Sequence, residues 1–274
     1  MATPLLKRFY QDRFLQMRSF ALTLMTVGAA TALLLYVMPA SHYVFSPAAW
    51  HLLLVPLAVY VGGVSAVWIH NATHGSFSPK WLNWVCGQIA GIHQLWGFTG
   101  WKLIHLLHHM YSDDEKLDTH PPKGMSLWQF GKIMFVYSSR QVSSRYREHW
   151  GDTKETALIQ QAGLAVFLTM AAANLIFWFA LLGANGFVFF FLPSYITNHL
   201  LFVDINYSAH PADPKTGETR PANLNHTPYY KLANFLWSGI YFHGNHHRKP
   251  LLFNPRHMPQ RVVQPQTDDL KEAA

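Results

Sequence analysis

The chain has 274 residues, of which half are hydrophobic and only 13% are charged, and this composition favours a membrane protein over a soluble one. The single cysteine, Cys86, excludes an internal disulfide, a cysteine-rich metal site and an internal thiol relay. The net charge of +7 predicts contact with anionic lipid headgroups, and we expect no nucleic-acid partner.

Four stretches without Asp, Glu, Lys or Arg are long enough to cross a bilayer of about 30 Å, which takes roughly 17–25 residues. The first is too long for the apolar part of a cleavable signal and is soon followed by the second, so we interpret it as a permanent helix. The sequence therefore predicts four transmembrane helices in two hairpins, at about residues 20–38, 50–69, 158–182 and 186–203.

The positive charges predict the orientation, because lysine and arginine are retained on the cytoplasmic side of membranes. All 21 of them lie before the first span, between the second and third spans, or after the fourth. The loops 39–49 and 183–185 contain none. We therefore expect one domain covering residues 1–274, with both termini and the active site cytoplasmic. Residues 70–157 and 204–274 would form the cytosolic cap.

Within the cap, the apolar segment 81–100 is interrupted by glycines and rich in tryptophan. We interpret it as interfacial or re-entrant, since a fifth span would separate the first two histidine clusters by the membrane. Residues 126–136 suggest a short amphipathic helix, followed by a solvated basic stretch up to Lys154. Residues 211–228 are expected to form a loop, and the proline-rich tail from Pro250 onward is expected to be extended.

Nine histidines fall into clusters that each lie just outside an apolar stretch. Histidines three or four residues apart point from one face of a helix, and imidazole suits borderline metals such as iron, copper and zinc. Packing alone gives no reason for adjacent histidines beneath a membrane, so the clusters predict a metal site. They read His70-x3-His74, His105-x2-His108-His109, Asn206-x3-His210 and His243-x2-His246-His247.

Nine nitrogen ligands are too many for one ion but suit two ions. Catalytic zinc usually has three protein ligands, and a pair of histidine-bound zinc ions has no obvious reaction to perform. Non-haem iron with open positions is the usual device for activating oxygen. An all-histidine iron pair therefore points to oxidative chemistry.

The clusters resemble the three histidine boxes of the integral-membrane fatty acid desaturase and hydroxylase superfamily. Residues 108–113 and 118–124 are similar to the stretch after the second box in its acyl-CoA desaturase branch. Residues 206–210 resemble the Asn-x3-His element of that branch, and residues 239–247 resemble its third box. The first box has three intervening residues where many acyl-CoA desaturases have four. The resemblance covers about residues 20–250.

This resemblance implies an all-α membrane protein in which four transmembrane helices carry a helical cytosolic cap with a di-iron site. Asp113, Asp118 and His120 become candidates for orienting the ligand histidines. The implied metal ligands are His70, His74, His105, His108, His109, His210, His243, His246 and His247, with Asn206 acting through a water. Trp96, Trp101 and Tyr207 are candidates for lining the substrate tunnel, the alternative being membrane anchors.

The resulting functional hypothesis is a fatty acyl desaturase that uses two iron ions (Fe2+/Fe3+) and O2 to introduce an unsaturation into an acyl chain. The acyl group would be carried by coenzyme A, by an acyl carrier protein or by a membrane lipid. Because the chain contains no haem, flavin or Fe–S signature, electrons are expected from a ferredoxin, a rubredoxin or a cytochrome b5-like protein with its reductase. The basic cytosolic face would suit an acidic donor.

Two other functions fit part of the pattern. A membrane di-iron hydroxylase or ketolase acting on an alkane, sterol or carotenoid would use the same histidines, and product analysis would separate it from a desaturase. A membrane metal carrier belongs to another class. It is disfavoured because carriers place ligands within the spans, whereas these lie on one face outside them.

Overall fold

A computed structural model describes residues 4–213 and 215–258, and these residues are predominantly helical. Apart from two isolated β-bridges, they contain no β-structure, which confirms the predicted helical class. Short 3-10 helices lie at Ala40–Tyr43, Ala49–Leu53 and Pro255–His257. The α-helices in chain order are α1 (Pro4–Gln11), α2 (Leu15–Val37), α3 (Leu54–His74), α4 (Trp81–His93), α5 (Phe98–Tyr111), α6 (Leu127–Trp150), α7 (Lys154–Gly186), α8 (Leu192–Ser208), α9 (Pro228–Leu236) and α10 (His243–Arg248).

Three helical segments of the described chain are long and apolar enough to cross a membrane. Leu15–Val37 and Ala49–His74 correspond to the first two predicted spans. The third segment, Lys154–Ser208, contains both remaining predicted spans and joins α7 to α8 through a π-helical turn. Helix α2 packs against α7, and α3 packs against α8.

The long third segment is broken at Gly183. Its φ of 66° and ψ of 178° lie outside the helical region and favour glycine. Trp178 stacks on Phe191 with ring centroids 5.5 Å apart, whereas residues this far apart along a straight helix are separated by about 20 Å. The chain therefore reverses its direction here, within the loop predicted at residues 183–185.

Glycines on α3 allow two other elements to approach closely. A Cβ on Gly62 would collide with the backbone oxygen of Ser194 on α8, and a Cβ on Gly63 would collide with the ring of Trp237. The indole of Trp237 donates a hydrogen bond to the carbonyl oxygen of Tyr60 at 3.2 Å. Small residues thus bring the end of α9 onto the middle of α3.

Helix α4 is too short to cross a membrane, because its 13 residues extend about 20 Å. It is not among the membrane-length helices of the described chain. The interfacial or re-entrant position of residues 81–100 stays a prediction. After α4 the chain turns into α5, and a Cβ on Gly91 would meet the backbone of Phe98. This tight turn brings the start of α5, and with it the second histidine cluster, close to α3.

The cap differs from the sequence-based expectation in one helix. The short helix predicted at residues 126–136 is instead the first half of α6, which begins with a capping box between Ser126 and Gln129 and continues to Trp150. Arg145, which was predicted to be solvated, is buried with its guanidinium over the ring of Tyr111. Most of the tail predicted to be extended lies outside the described residues.

Candidate metal centre

Buried apolar neighbours anchor each segment that carries a histidine cluster. Ile69 on α3 and Leu107 on α5 are fully buried beside the first and second clusters. Ala209, just after α8, and Tyr241, just before α10, are also fully buried. Fixing these backbones fixes the directions in which the adjacent imidazoles point. Four elements that are distant in sequence thereby converge on one place.

The nine clustered histidines form two groups. Within each group, the potential ligand nitrogens all lie within 4.8 Å of one another. Group one consists of His70, His74, His105, His109 and His246. Group two consists of His108, His210, His243 and His247.

The spacing of the ring nitrogens fits metal coordination. In group one, His105 Nε2 lies 2.9 Å from His74 Nε2 and 3.1 Å from His109 Nε2. In group two, His243 Nε2 lies 3.0 Å from the Nε2 atoms of both His210 and His247. Two nitrogens bound at about 2.1 Å to one ion and at a right angle to each other are about 3.0 Å apart. Each group therefore fits around a single ion.

Carboxylates hold the other ring nitrogen of two histidines in group two. Nδ1 of His108 lies 2.9 Å from Asp118, and Nδ1 of His210 lies 3.0 Å from Asp113. A carboxylate oxygen accepts the hydrogen bond in each pair, so each Nδ1 donates its proton. The Nε2 atom of each ring then remains available to a metal ion. The predicted orienting role of both aspartates is consistent with this geometry.

Burial favours the neutral form of four of the clustered rings. It is the largest influence that lowers the pKa of His105, His108, His243 and His246 well below the usual value, and the neighbouring histidines add to it. Neutral imidazole is the form that binds metals. In each group, several imidazole nitrogens face one buried point. A cation bound at that point would stabilise this arrangement of nitrogen lone pairs.

The two aspartates respond differently to burial. Burial raises the pKa of Asp118 to about 7, against the opposing effect of the backbone N–H groups of His120 and Asp113. Burial also acts to raise the pKa of Asp113, but the hydrogen bonds that its carboxylate accepts from His210, Thr219 and Ser112 outweigh it and the net direction is downward. Asp113 has a positive φ of 66°, a strained conformation that aims its carboxylate at His210.

His120 and Asn206 lie beside the two groups. The ring of His120 packs against that of His108 with centroids 3.8 Å apart and the planes tilted by 30°. Its buried Nδ1 has no hydrogen-bond partner among the described residues. The amide nitrogen of Asn206 donates to the carbonyl oxygen of Phe202 at 2.8 Å, which leaves the amide oxygen to accept from a water. Both positions are compatible with the roles expected from the sequence.

An apolar cavity adjoins both histidine groups. Trp96 and Trp101, two of the predicted tunnel residues, contribute to its wall. Tyr207 lies outside this wall, and its hydroxyl donates to the carbonyl oxygen of Met125 at 3.0 Å. The remaining lining includes His70, His105, His243, Phe135, Phe202 and Ile240.

Sequence reasoning missed Phe135, Phe202 and Ile240, which complete the cavity wall. In the sequence they look like any apolar residues of a buried helix or loop. Only their convergence from α6, α8 and the segment before α10 distinguishes them from core residues. No local signal could have identified them.

Comparison with known proteins places these features in a family. The family model described as "Fatty acid desaturase" matches residues 45–272. A stretch of 100 residues is 30% identical to delta-9 acyl-lipid desaturase 2 of Arabidopsis thaliana and covers 35% of this chain and 32% of that protein. The match thus spans about a third of this curated relative. No solved structure gives a significant match. Because the family model covers most of its length, the chain belongs to the fatty acid desaturase family.

Proposed function

We propose that the protein is an O2-dependent fatty acyl desaturase that holds one iron ion in each histidine group. Membership of the desaturase family supports this proposal. So do the two groups of imidazoles, whose number and spacing suit two ions. We further propose that the nine histidines are the protein ligands and that Asn206 acts through a water.

The observation that carries the proposal is the apolar cavity against the metal centre. It is lined by His70 and His105 of group one and by His243 of group two, so its contents would lie beside both ions. Its other walls are mostly aromatic and aliphatic. Its volume of about 50 Å³ holds only a short stretch of a chain, and its apolar walls favour the methylene groups of an acyl chain.

Bound iron would supply the redox chemistry by which O2 takes two hydrogens from the acyl chain and two electrons and two protons from elsewhere, giving two waters. The side chains position the substrate. Trp101 stacks on His105 with centroids 4.7 Å apart and contacts Phe202 with centroids 5.3 Å apart, which fixes one wall beside a ligand. Adjacent methylenes are chemically alike, so the geometry of this wall determines which one reacts.

We propose that the single domain crosses the membrane four times, in two hairpins, with the cap and both termini cytoplasmic. The reversal at Gly183 supports a hairpin of α7 and α8, and the pairing of α2 with α7 and α3 with α8 supports one bundle. The distribution of lysine and arginine supports the orientation.

Electrons would come from a separate donor, for which a ferredoxin, a rubredoxin or a cytochrome b5-like protein with its reductase are the candidates. Exposed Arg140 and Arg147 on α6 offer cations to an acidic donor. The substrate would be an acyl-CoA, an acyl carrier protein thioester or a lipid-linked acyl chain in contact with the membrane.

Mass analysis of the lipids from an expressing host tests the proposal. Acyl chains that have lost two hydrogens are expected with the intact protein and not with His108→Ala, provided that both proteins are inserted into membranes. Oxygen-containing acyl chains without new double bonds would instead identify a hydroxylase and contradict the proposal.

A further inference from the structure

A second cavity reaches the metal centre, and several carboxylates contribute to its lining. Its volume is about 610 Å³, and it touches His108 and His210 of group two. We call this cavity the acidic vestibule. Among the described residues, Lys123 is the only lysine or arginine in its lining. The carboxylates in this lining belong to Asp113, Asp114, Glu115, Asp118 and Glu218.

The carboxylates are arranged from the surface inward. Asp114, Glu115 and Glu218 are exposed, whereas Asp113 and Asp118 lie deeper and accept hydrogen bonds from the histidines of group two. Two cations offset part of the charge. The ammonium of Lys123 donates to the carbonyl oxygens of Asn206 and Tyr207, and Arg220 pairs with Glu218 at 3.0 Å. The net charge of the lining remains negative, because five carboxylates face these two cations.

This lining does not suit the proposed substrate. An acyl chain gains nothing from carboxylates, and a phosphate-bearing carrier would be repelled by them. The apolar cavity already presents apolar walls to an acyl chain beside both histidine groups. The acidic vestibule therefore suits a ligand of the opposite charge that has to reach the histidines.

We propose that the acidic vestibule is the path by which aqueous Fe2+ enters the metal centre, an inference that rests on the proposed function. Carboxylates in a cleft raise the local concentration of cations, and oxygen ligands hold a hydrated dication loosely. Ligand atoms of His108, Asp118 and His120 lie within 4.8 Å of one another at the inner end. An ion that arrived there would meet carboxylate oxygens first and then the Nε2 atoms of group two, because borderline metals prefer imidazole nitrogen.

The test is the rate of Fe2+ uptake by the full-length protein in detergent, purified without iron and kept anaerobic. The vestibule variant Asp114→Asn, Glu115→Gln, Glu218→Gln is compared with the wild type. A matched control, Glu148→Gln, Asp152→Asn, Glu155→Gln, removes three exposed carboxylates that do not line the vestibule.

Uptake by the vestibule variant is expected to be about tenfold slower at low salt, with the same final iron content. The difference should shrink as ionic strength rises towards about 1 M, where the Debye length is roughly 3 Å. Glu115→Gln alone should slow uptake less, in the same direction. Equal rates for the variant and the control would overturn the inference, as would a lowered final iron content in the variant alone. Failure of the wild type to bind iron would instead overturn the proposed function.

Discussion

Replacing Asp118 with asparagine removes one acceptor oxygen from a buried carboxylate beside group two. Oδ1 of Asp118 accepts from His108 Nδ1 and from the backbone N–H of His120, each at 2.9 Å. Oδ2 accepts from the backbone N–H of Asp113 at 2.8 Å. An amide offers one acceptor oxygen and an NH2 group that only donates, so at least one of these N–H groups loses its partner.

The size of the effect follows from this hydrogen-bond count. A buried donor left unpaired costs about 1–3 kcal/mol. Mutation of the residue that holds a metal-bound histidine typically lowers metal affinity by about 10–100-fold, equivalent to roughly 1.4–2.8 kcal/mol. Because His108 belongs to group two alone, Asp118→Asn should weaken one of the two ions and leave the other unchanged.

Release of iron to a chelator under anaerobic conditions measures this difference. The variant is expected to lose one ion at a chelator concentration about 10–100-fold lower than the wild type does, while the second ion is retained. The control Asp152→Asn changes an exposed carboxylate that belongs to neither histidine group, so it should release iron as the wild type does. Superimposable release curves for Asp118→Asn and the wild type would refute the reasoning.

Three further substitutions test other parts of the account. His246→Ala removes a ligand of group one, so purified protein should contain fewer irons and form no product while membrane insertion persists. Gly63→Ala should lower the melting temperature, because the new Cβ displaces Trp237 and reduces the free energy of unfolding by about 1–3 kcal/mol. The control Gly28→Ala, which has open space around the new Cβ, should not lower the melting temperature. Trp101→Ala should leave the iron content unchanged but alter the chain lengths or positions oxidised, as seen by mass analysis of products; an unchanged product profile would place Trp101 outside the substrate path.

The histidine clusters could be predicted because their spacing is a local property of helices. Residues four apart share a face, and a residue between them points to the side. On α5, His105 and His109 join group one while His108 joins group two. On α10 the roles are exchanged, with His243 and His247 in group two and His246 in group one. Which group each pair joins depends on the tertiary fold.

The extent of α6 could not be predicted, because polar residues in its second half suggest exposure. The buried hydroxyl of Ser138 donates to the carbonyl oxygen of Thr119 at 2.8 Å, and buried Arg145 donates to that of Leu117. These side chains satisfy carbonyls of the loop that carries Asp118. Such pairing between distant segments leaves no periodic signal in the sequence.

The iron content of anaerobically purified wild-type protein tests the central claim most directly. Metal analysis together with the visible spectrum should give about two irons per chain without haem absorbance, one for each histidine group. One zinc per chain, or no metal after careful anaerobic purification, would contradict the assignment of groups one and two as a di-iron centre.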